Sequence, residues 1–436
     1  MSSRLKLLVI AEAANPEWVS VPLVGWSLCK ALRQVADVHI VTQVRNRDAF
    51  LRAGLLENVD FTAIDSEAVA RPLWKIGSLL RMGEGKGWTT LQAFAALSYP
   101  YFEHLIWQSF GKDIKAGRYD VVHRVTPLSP TIPSPLARRC AQAGTPFVLG
   151  PLNGGVPWPK GFDSERRRER EVLSYVRNLY KLAPGRSSTL ANSAAIIVGS
   201  RHTESEIPLR FREKCIYLPE NAIDTDWASS PKPPLSVPLR GCFIGRMVPY
   251  KGPDILLEAA MPLLLAGRLR LDMIGDGPLL SGLKNLVIRN GASDAVTFHG
   301  WMAHADVRTV ASRCTLFAFP SIREFGGGAV MEAMALGLAP LIVDYAGPGE
   351  IVTDETGIKV PIGTRREIVE RFRTELERLA ENPDLASTIG LNARDRVRSH
   401  FTWDRKARQI LQVYDWVLGR SAKPDDLLPA MQHATD

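Results

Sequence analysis

The sequence predicts an α/β protein of two domains, each built from parallel strands alternating with helices. Two apolar runs, Leu5–Ala11 and Val38–Thr42, flank a helical pattern from Val24 to Gln34, which is the β-α-β order of a parallel sheet. Residues Ser229–Pro238, S-S-P-K-P-P-L-S-V-P, form the strongest linker, and the same alternation restarts behind it. A length of 436 residues lets each of two domains bury its own core, and 45% apolar with 23% charged residues is ordinary for a soluble globular chain.

In chain order, Leu5–Ala11 is the first buried parallel strand. It is followed by A-E-A-A-N-P-E-W-V-S, with no G-x-G-x-x-G, which counts against a nicotinamide-dependent enzyme. Arg71–Phe110 interleaves Trp74, Trp88, Phe94, Tyr99, Tyr101, Phe102, Trp107 and Phe110 with Lys75, Arg81 and Lys86, and Gly83, Gly85 and Gly87 break it. It reads either as helices packed on the core or as a surface for a membrane or hydrophobic acceptor. Tyr119–His123 is a strand ending on a polar residue, where α/β folds place ligands. Pro146–Pro157 is a strand and then a Gly/Pro loop, which reads either as a plain turn or as an acceptor or donor loop in which Asn153, Gly154 and Gly155 present backbone amides to a substrate. Asp163-Ser164 caps a helix carrying Arg166, Arg167, Arg168, Arg170 and Arg177 on one face, stopped by Pro184-Gly185. Ala195–Ser200 and Cys215–Asn221 are two further strand segments before the linker.

Behind the linker, Arg240–Arg246 is a strand, Lys251-Gly252 follow, and Pro253–Leu265 is a helix. Arg246 and Lys251 put two cations at a strand-to-helix loop, the arrangement of a diphosphate clamp. Leu269–Pro278 is a strand with a tight loop holding Gly275 and Gly277, and Val296–Trp301 is the next strand, with His299 and Gly300. Thr315–Pro320 is a buried strand. Gly326, Gly327 and Gly328 then lead into a helix from Ala329 to Leu336, ended by Gly337. Free backbone amides at such a helix start favour an anion or an oxygen-rich ligand. Glu324 and Glu332 bracket the glycines and suit hydroxyl groups, because a carboxylate repels phosphate. A ligand with hydroxyls on both sides of a phosphate is a nucleotide sugar. Pro340–Asp344 is a strand, Gly347–Glu350 a loop, and Thr402–Leu418 an amphipathic helix.

The run from Arg323 to Asp344, R-E-F-G-G-G-A-V-M-E-A-M-A-L-G-L-A-P-L-I-V-D, resembles the donor-site signature of the family-4 retaining glycosyltransferases, with E-x7-E from Glu324 to Glu332. Gly245-Arg246 with Lys251-Gly252, Gly275-x-Gly277-Pro278 and Asp120–His123 match further motifs of that family. The resemblance is specific from Gly245 to Pro361 and looser before Ser200. It implies the GT-B fold, two Rossmann-like domains facing each other across a cleft, with a C-terminal helix crossing back to the first. The expected divisions are 1–228, linker 229–238, 239–400, crossover helix 401–420 and a disordered tail 421–436. The resemblance assigns Arg246, Lys251, Glu324 and His123 to catalysis, with His123 approaching the donor sugar. It assigns Gly245, Phe325, Gly326, Gly327, Gly328, Val330, Glu332, Gly275, Gly277, His299 and Gly300 to the donor, with Glu324 on sugar and Glu332 on ribose hydroxyls.

The expected activity is a retaining transfer of a sugar from a UDP or GDP sugar, as co-substrate, to a saccharide or lipid-linked acceptor in exopolysaccharide or cell-envelope synthesis. A GT-B nucleotide-sugar epimerase and a non-catalytic sugar-nucleotide-binding protein are the alternatives. Nothing resembles a metal site: the five cysteines are scattered, and no D-x-D stands at a strand end. No cofactor and no metal are expected. The net charge of +8 lies wholly in residues 1–225, with 29 Lys+Arg against 21 Asp+Glu. That excess suits either a solvated face or an anionic membrane, while no nucleic-acid-binding element accompanies it. With no apolar run of membrane-spanning length and no signal peptide, the expectation is a cytoplasmic protein with peripheral attachment at the inner face of the plasma membrane.

Overall fold

The computed structural model describes residues 4–69, 71–72, 88–159, 161–162, 185–228, 237–424 and 427–428. Within these, 4–155, 185–220 and 403–428 make one compact unit, and 156–162 with 221–402 make the other.

The first unit holds seven parallel strands: β1 (Lys6–Ala11), β2 (Asp37–Gln43), β3 (Phe61–Ile64), β4 (Val121–Thr126), β5 (Phe147–Leu152), β6 (Ala195–Val198) and β7 (Cys215–Tyr217). Their spatial order is β3-β2-β1-β4-β5-β6-β7. Leu7 to Ala11 and Val121 to Thr126 are wholly buried, because helices cover both faces of a parallel sheet. Helix α1 (Val21–Val35) starts with a proline in its first turn and buries Val24, Leu28 and Leu32 at helical spacing.

The second unit holds six parallel strands: β8 (Leu239–Ile244), β9 (Leu269–Ile274), β10 (Val296–Gly300), β11 (Leu316–Phe319), β12 (Ala339–Asp344) and β13 (Ile358–Pro361). Their order is β10-β9-β8-β11-β12-β13. Helix α2 (Pro253–Leu265) follows β8, and α3 (Gly328–Ala335) follows β11. In both sheets the order of winding reverses once, at β1/β4 and at β8/β11. Ligands of open α/β sheets bind beyond the carboxyl ends of the strands at such a point.

The last long helix, α4 (Trp403–Val417), belongs to the first unit and packs against α1, burying Trp403, Ala407, Ile410, Val413 and Tyr414. The structure departs from the sequence reading at several places. The division between units falls at Glu220/Asn221, ahead of the proline-rich stretch, because Asn221 and Ile223 already bond to second-unit atoms: Asn221 to Gly326 O at 2.9 Å and Ile223 N to Phe401 O at 2.8 Å. The tail was expected to be disordered, yet Leu428 is buried and Gln409 Nε2 donates to Leu427 O at 2.6 Å. Gly347–Glu350 was expected to be a loop; it lies in a short helix, Ala346–Ile351. The basic helix expected after Asp163, residues 229–236 of the linker, and Trp74, Lys75, Arg81, Gly83, Gly85, Lys86 and Gly87 lie outside the described residues.

Candidate functional site

Two loops leave the sheet at the β8/β11 reversal. The first carries Gly245, Arg246 and Lys251; the second carries Glu324 and the glycines. Their backbones are locked together. Ile322 N donates to Tyr250 O at 2.9 Å, and Ser321 Oγ donates to the same oxygen at 3.2 Å. Gly252, at φ +70°, lies so close to Pro320 that a Cβ there would sit 2.4 Å from the carbonyl oxygen. This clamping brings Lys251 Nζ and Glu324 Oε2 into an ion pair, with side chains only 17% and 16% exposed. Lys251 also lies over the Phe319 ring, 5.1 Å from its centroid, while Arg246 is exposed at the surface.

Gly275 and Gly277 brace the first loop from behind. Their φ values are +133° and +154°, and a Cβ on either would meet Gly245 O at 2.0 Å or Met247 O at 2.6 Å. Met247 N donates to Asp276 O and Gly275 N to Gly300 O, both at 2.8 Å, so Gly300 joins the same lattice. Gly275 and Gly277 are therefore required by backbone approach at the loop that holds Arg246.

Gly326 and Gly327 are buried, and Gly327 caps α3 in the left-handed conformation at φ +59°. Asn221 Nδ2 donates to Gly326 O at 2.9 Å and fixes the turn from the side. Gly328 opens α3, Val330 is buried in it, and Glu332 is its fifth residue. Glu324 stands four residues ahead of Gly328 in the loop that runs into α3, and the free amides at a helix start favour negative charge. Arg323 is buried; its Nε donates to Val156 O at 3.0 Å, and its guanidinium lies 5.2 Å from both the Trp158 and the Phe325 rings.

The His299 side chain is engaged within the sheet. Its Nε2 donates to Asp272 Oδ1 at 2.7 Å, and Arg240 Nε donates to Asp272 Oδ2, also at 2.7 Å. Burial pushes the Asp272 carboxyl up, but the hydrogen bonds and charges of Arg240 and His299 prevail and hold it below the usual carboxylate range. His299 therefore ties β10 to β9 with its side chain.

Two expectations in the first unit need correction. His123 is the third residue of β4, not its end, because the strand continues to Thr126. Its ring is fully buried between Tyr414 Oη and Gly150 O, each 2.6 Å away. A carbonyl can only accept, so Nε2 carries the proton and donates to it, and Nδ1 accepts from the tyrosine hydroxyl. Burial pushes His123 down to about 4, which keeps the ring neutral. The amides of Asn153, Gly154 and Gly155, expected to face a substrate in an acceptor or donor loop, are already donated to Leu128 O at 2.7 Å, Thr203 Oγ1 at 2.9 Å and Asn153 Oδ1 at 3.2 Å. A loop of small residues turned back on its own unit satisfies these donors internally.

Sequence reading missed a polar cluster at the carboxyl ends of β1, β2 and β3. Arg45 reaches Glu12 at 3.1 Å and Glu67 at 3.9 Å, and Gln43 donates to Glu67 while accepting from Arg45 Nε at 2.9 Å. Burial raises the Glu12 carboxyl, opposed by Arg45. The available signal was Glu12 standing directly behind the first strand. Among the described residues no group of three or more His, Cys, Asp or Glu side chains is placed to hold a metal, and no helix is long and apolar enough to cross a membrane.

Residues 238–396 match the family model of the glycosyl transferases group 1. The chain is 34% identical over 184 residues to a D-inositol 3-phosphate glycosyltransferase of Gordonia bronchialis, covering 39% of this chain and 39% of that protein. It is 31% identical over 191 residues to the lipopolysaccharide core biosynthesis mannosyltransferase LpcC of Rhizobium leguminosarum bv. viciae, covering 42% of this chain and 51% of that one. The chain thus matches about half or less of the length of these relatives. The crystal structure of Anabaena HepE in complex with UDP and glucose superposes with a TM-score of 0.59 at 15% identity, covering 94% of this chain and 98% of that one. The likeness extends over both units, so the chain has the GT-B fold, and its residues 238–396 are similar to the glycosyl transferases group 1 family.

Proposed function

We propose that this protein is a retaining, metal-independent glycosyltransferase that moves a hexosyl or related sugar from a UDP or GDP sugar to a saccharide or lipid-linked acceptor. The observation that carries the reading is the Lys251–Glu324 ion pair between the two loops that leave the second sheet at its reversal of winding, the second of which runs into the amino end of α3. Together these offer fixed positive charge and a hydroxyl-binding carboxylate.

In this reaction the bond from the anomeric carbon to the diphosphate breaks, and a bond to an acceptor hydroxyl oxygen forms on the same face. The hydroxyl proton passes to the departing phosphate oxygen. Arg246, Lys251 and the amides that begin α3 stabilise the charge growing on the phosphates. Glu324 holds sugar hydroxyls and Glu332 the ribose. No protein nucleophile is invoked. HepE, with UDP and glucose bound, and LpcC, named for a mannosyl transfer into lipopolysaccharide core, support the substrate classes. The acceptor belongs to the first unit in this reading, where Glu12, Gln43, Arg45 and Glu67 offer acceptors and donors for hydroxyls at the carboxyl ends of the strands. The enzyme works in the cytoplasm, with the basic first half toward an anionic membrane; equal sedimentation with neutral and anionic vesicles would remove that last element.

The test is nucleotide release from UDP-, GDP- and ADP-sugars, with and without envelope lipid, in EDTA and in Mn²⁺. Release from one donor class, increased by lipid and indifferent to EDTA, is expected. Epimerised free donor with no transfer would identify an epimerase, and loss of activity in EDTA restored by Mn²⁺ would refute metal independence.

A further inference from the structure

Glu332 is held by two other elements of the second unit. His304, the first residue of the helix His304–Ala311, donates from Nε2 to Glu332 Oε1 at 3.0 Å. The same imidazole rests on the indole of Trp227, with ring centroids 4.6 Å apart and planes tilted by 39°. Arg308, one turn further along that helix, holds its guanidinium 5.7 Å from the indole and donates to Asp226 O at 2.7 Å. The segment from Asn221 to Trp227 therefore braces both the glycine loop and α3: Asn221 grips Gly326 O directly, and Trp227 backs the histidine that grips Glu332.

We infer that His304 is a positioning residue that holds Glu332 with Oε2 free to accept ribose hydroxyls, so that the ribose of the nucleotide is read through the His304–Glu332 pair; this rests on the donor-site reading above. The physical reason is pre-organisation. A glutamate has three side-chain torsions, and a carboxylate that rotates freely loses that freedom when a ligand arrives. Here one oxygen is engaged beforehand, and the engaging ring itself packs on the Trp227 indole. The hydrogen bond to Glu332 raises the imidazole's pKa against burial, with Glu332 and Asp224 as the facing negative charges, which strengthens the bond that fixes the carboxylate.

The test is titration calorimetry of UDP and GDP, and of their 2′,3′-dideoxy counterparts, against the full chain, His304→Ala and His304→Gln. The wild type is expected to favour the ribonucleotide of its preferred base by about tenfold or more, the worth of one hydrogen bond to a charged group. His304→Ala should lose most of that preference while binding the dideoxynucleotide unchanged, and its turnover at saturating donor should stay within about threefold. His304→Gln, which retains a donor, should recover part of the preference. His304 is half exposed, so the variants are expected to fold, and an unchanged melting temperature checks this. Equal weakening of both nucleotides by His304→Ala, or no weakening of either, overturns the inference while leaving the donor site standing. A wild type that binds neither nucleotide overturns the donor reading, and this inference with it.

Discussion

Lys251 and Glu324 stand 73 residues apart in the chain and meet as an ion pair with both side chains more than four-fifths buried. The cation that the sequence assigned to phosphate and the carboxylate assigned to sugar hydroxyls are thus one electrostatic unit. In the function proposed above, a diphosphate beside Lys251 would share its charge and leave Glu324 to accept hydroxyls.

Lys251→Ala should lower nucleotide release by about 10²–10³-fold, the usual cost of one fixed transition-state donor. Glu324→Gln keeps shape but loses charge, and should lower release as well. Steady-state release rates with the preferred donor check both. An unchanged rate in Lys251→Ala would remove the clamp from the mechanism.

His123 gives a pH-dependent stability. An unfolded histidine protonates near pH 6.5, whereas the buried ring resists until about 4. Below pH 6.5 the unfolded state therefore takes up a proton that the folded state refuses. Stability should fall by roughly 3 kcal/mol between about pH 6.5 and 4. His123→Gln, which can still donate to Gly150 O and accept from Tyr414, should flatten this slope. Urea melts of both proteins across the window decide it.

Lys406 predicts the same sign at higher pH. Burial pushes its amine down to about 7, partly opposed by Glu220, and Nζ donates to Pro219 O. Between about pH 7 and 10.5 the unfolded lysine is charged and the folded one neutral, so wild-type stability should rise with pH relative to Lys406→Met. Melting temperatures of the two proteins measured side by side should show the wild type rising relative to the variant across that window; a constant offset would refute the neutral lysine.

Gly275 and Gly300 form a matched pair. Both have positive φ, but a Cβ at Gly275 would strike Gly245 O at 2.0 Å, whereas at Gly300 nothing lies within 4 Å. Gly275→Ala should cost about 2–5 kcal/mol from backbone strain plus overlap, and Gly300→Ala about 1 kcal/mol from the backbone alone. Equal losses in chemical denaturation would mean that the loop shifts to relieve the contact.

Much of this protein was determined by local sequence. The strands were legible because buried parallel strands are continuous apolar runs, and α2 from Pro253 to Leu265 was legible from its proline start. Glu324, the three glycines and Glu332 were legible because E-x7-E about a glycine turn is a local pattern. Only the tertiary structure decided what depends on residues distant in the chain. It put His123 against Tyr414, 291 positions away, and so turned a candidate strand-end group into a buried neutral one. It spent the amides of Asn153 to Gly155 on their own unit, bonded Leu427 back to α4, and set His304 and Trp227 behind Glu332. A sequence states which groups can donate, accept or carry charge; which of them are desolvated, and by what partner, is settled only when the sheets bring their loops together.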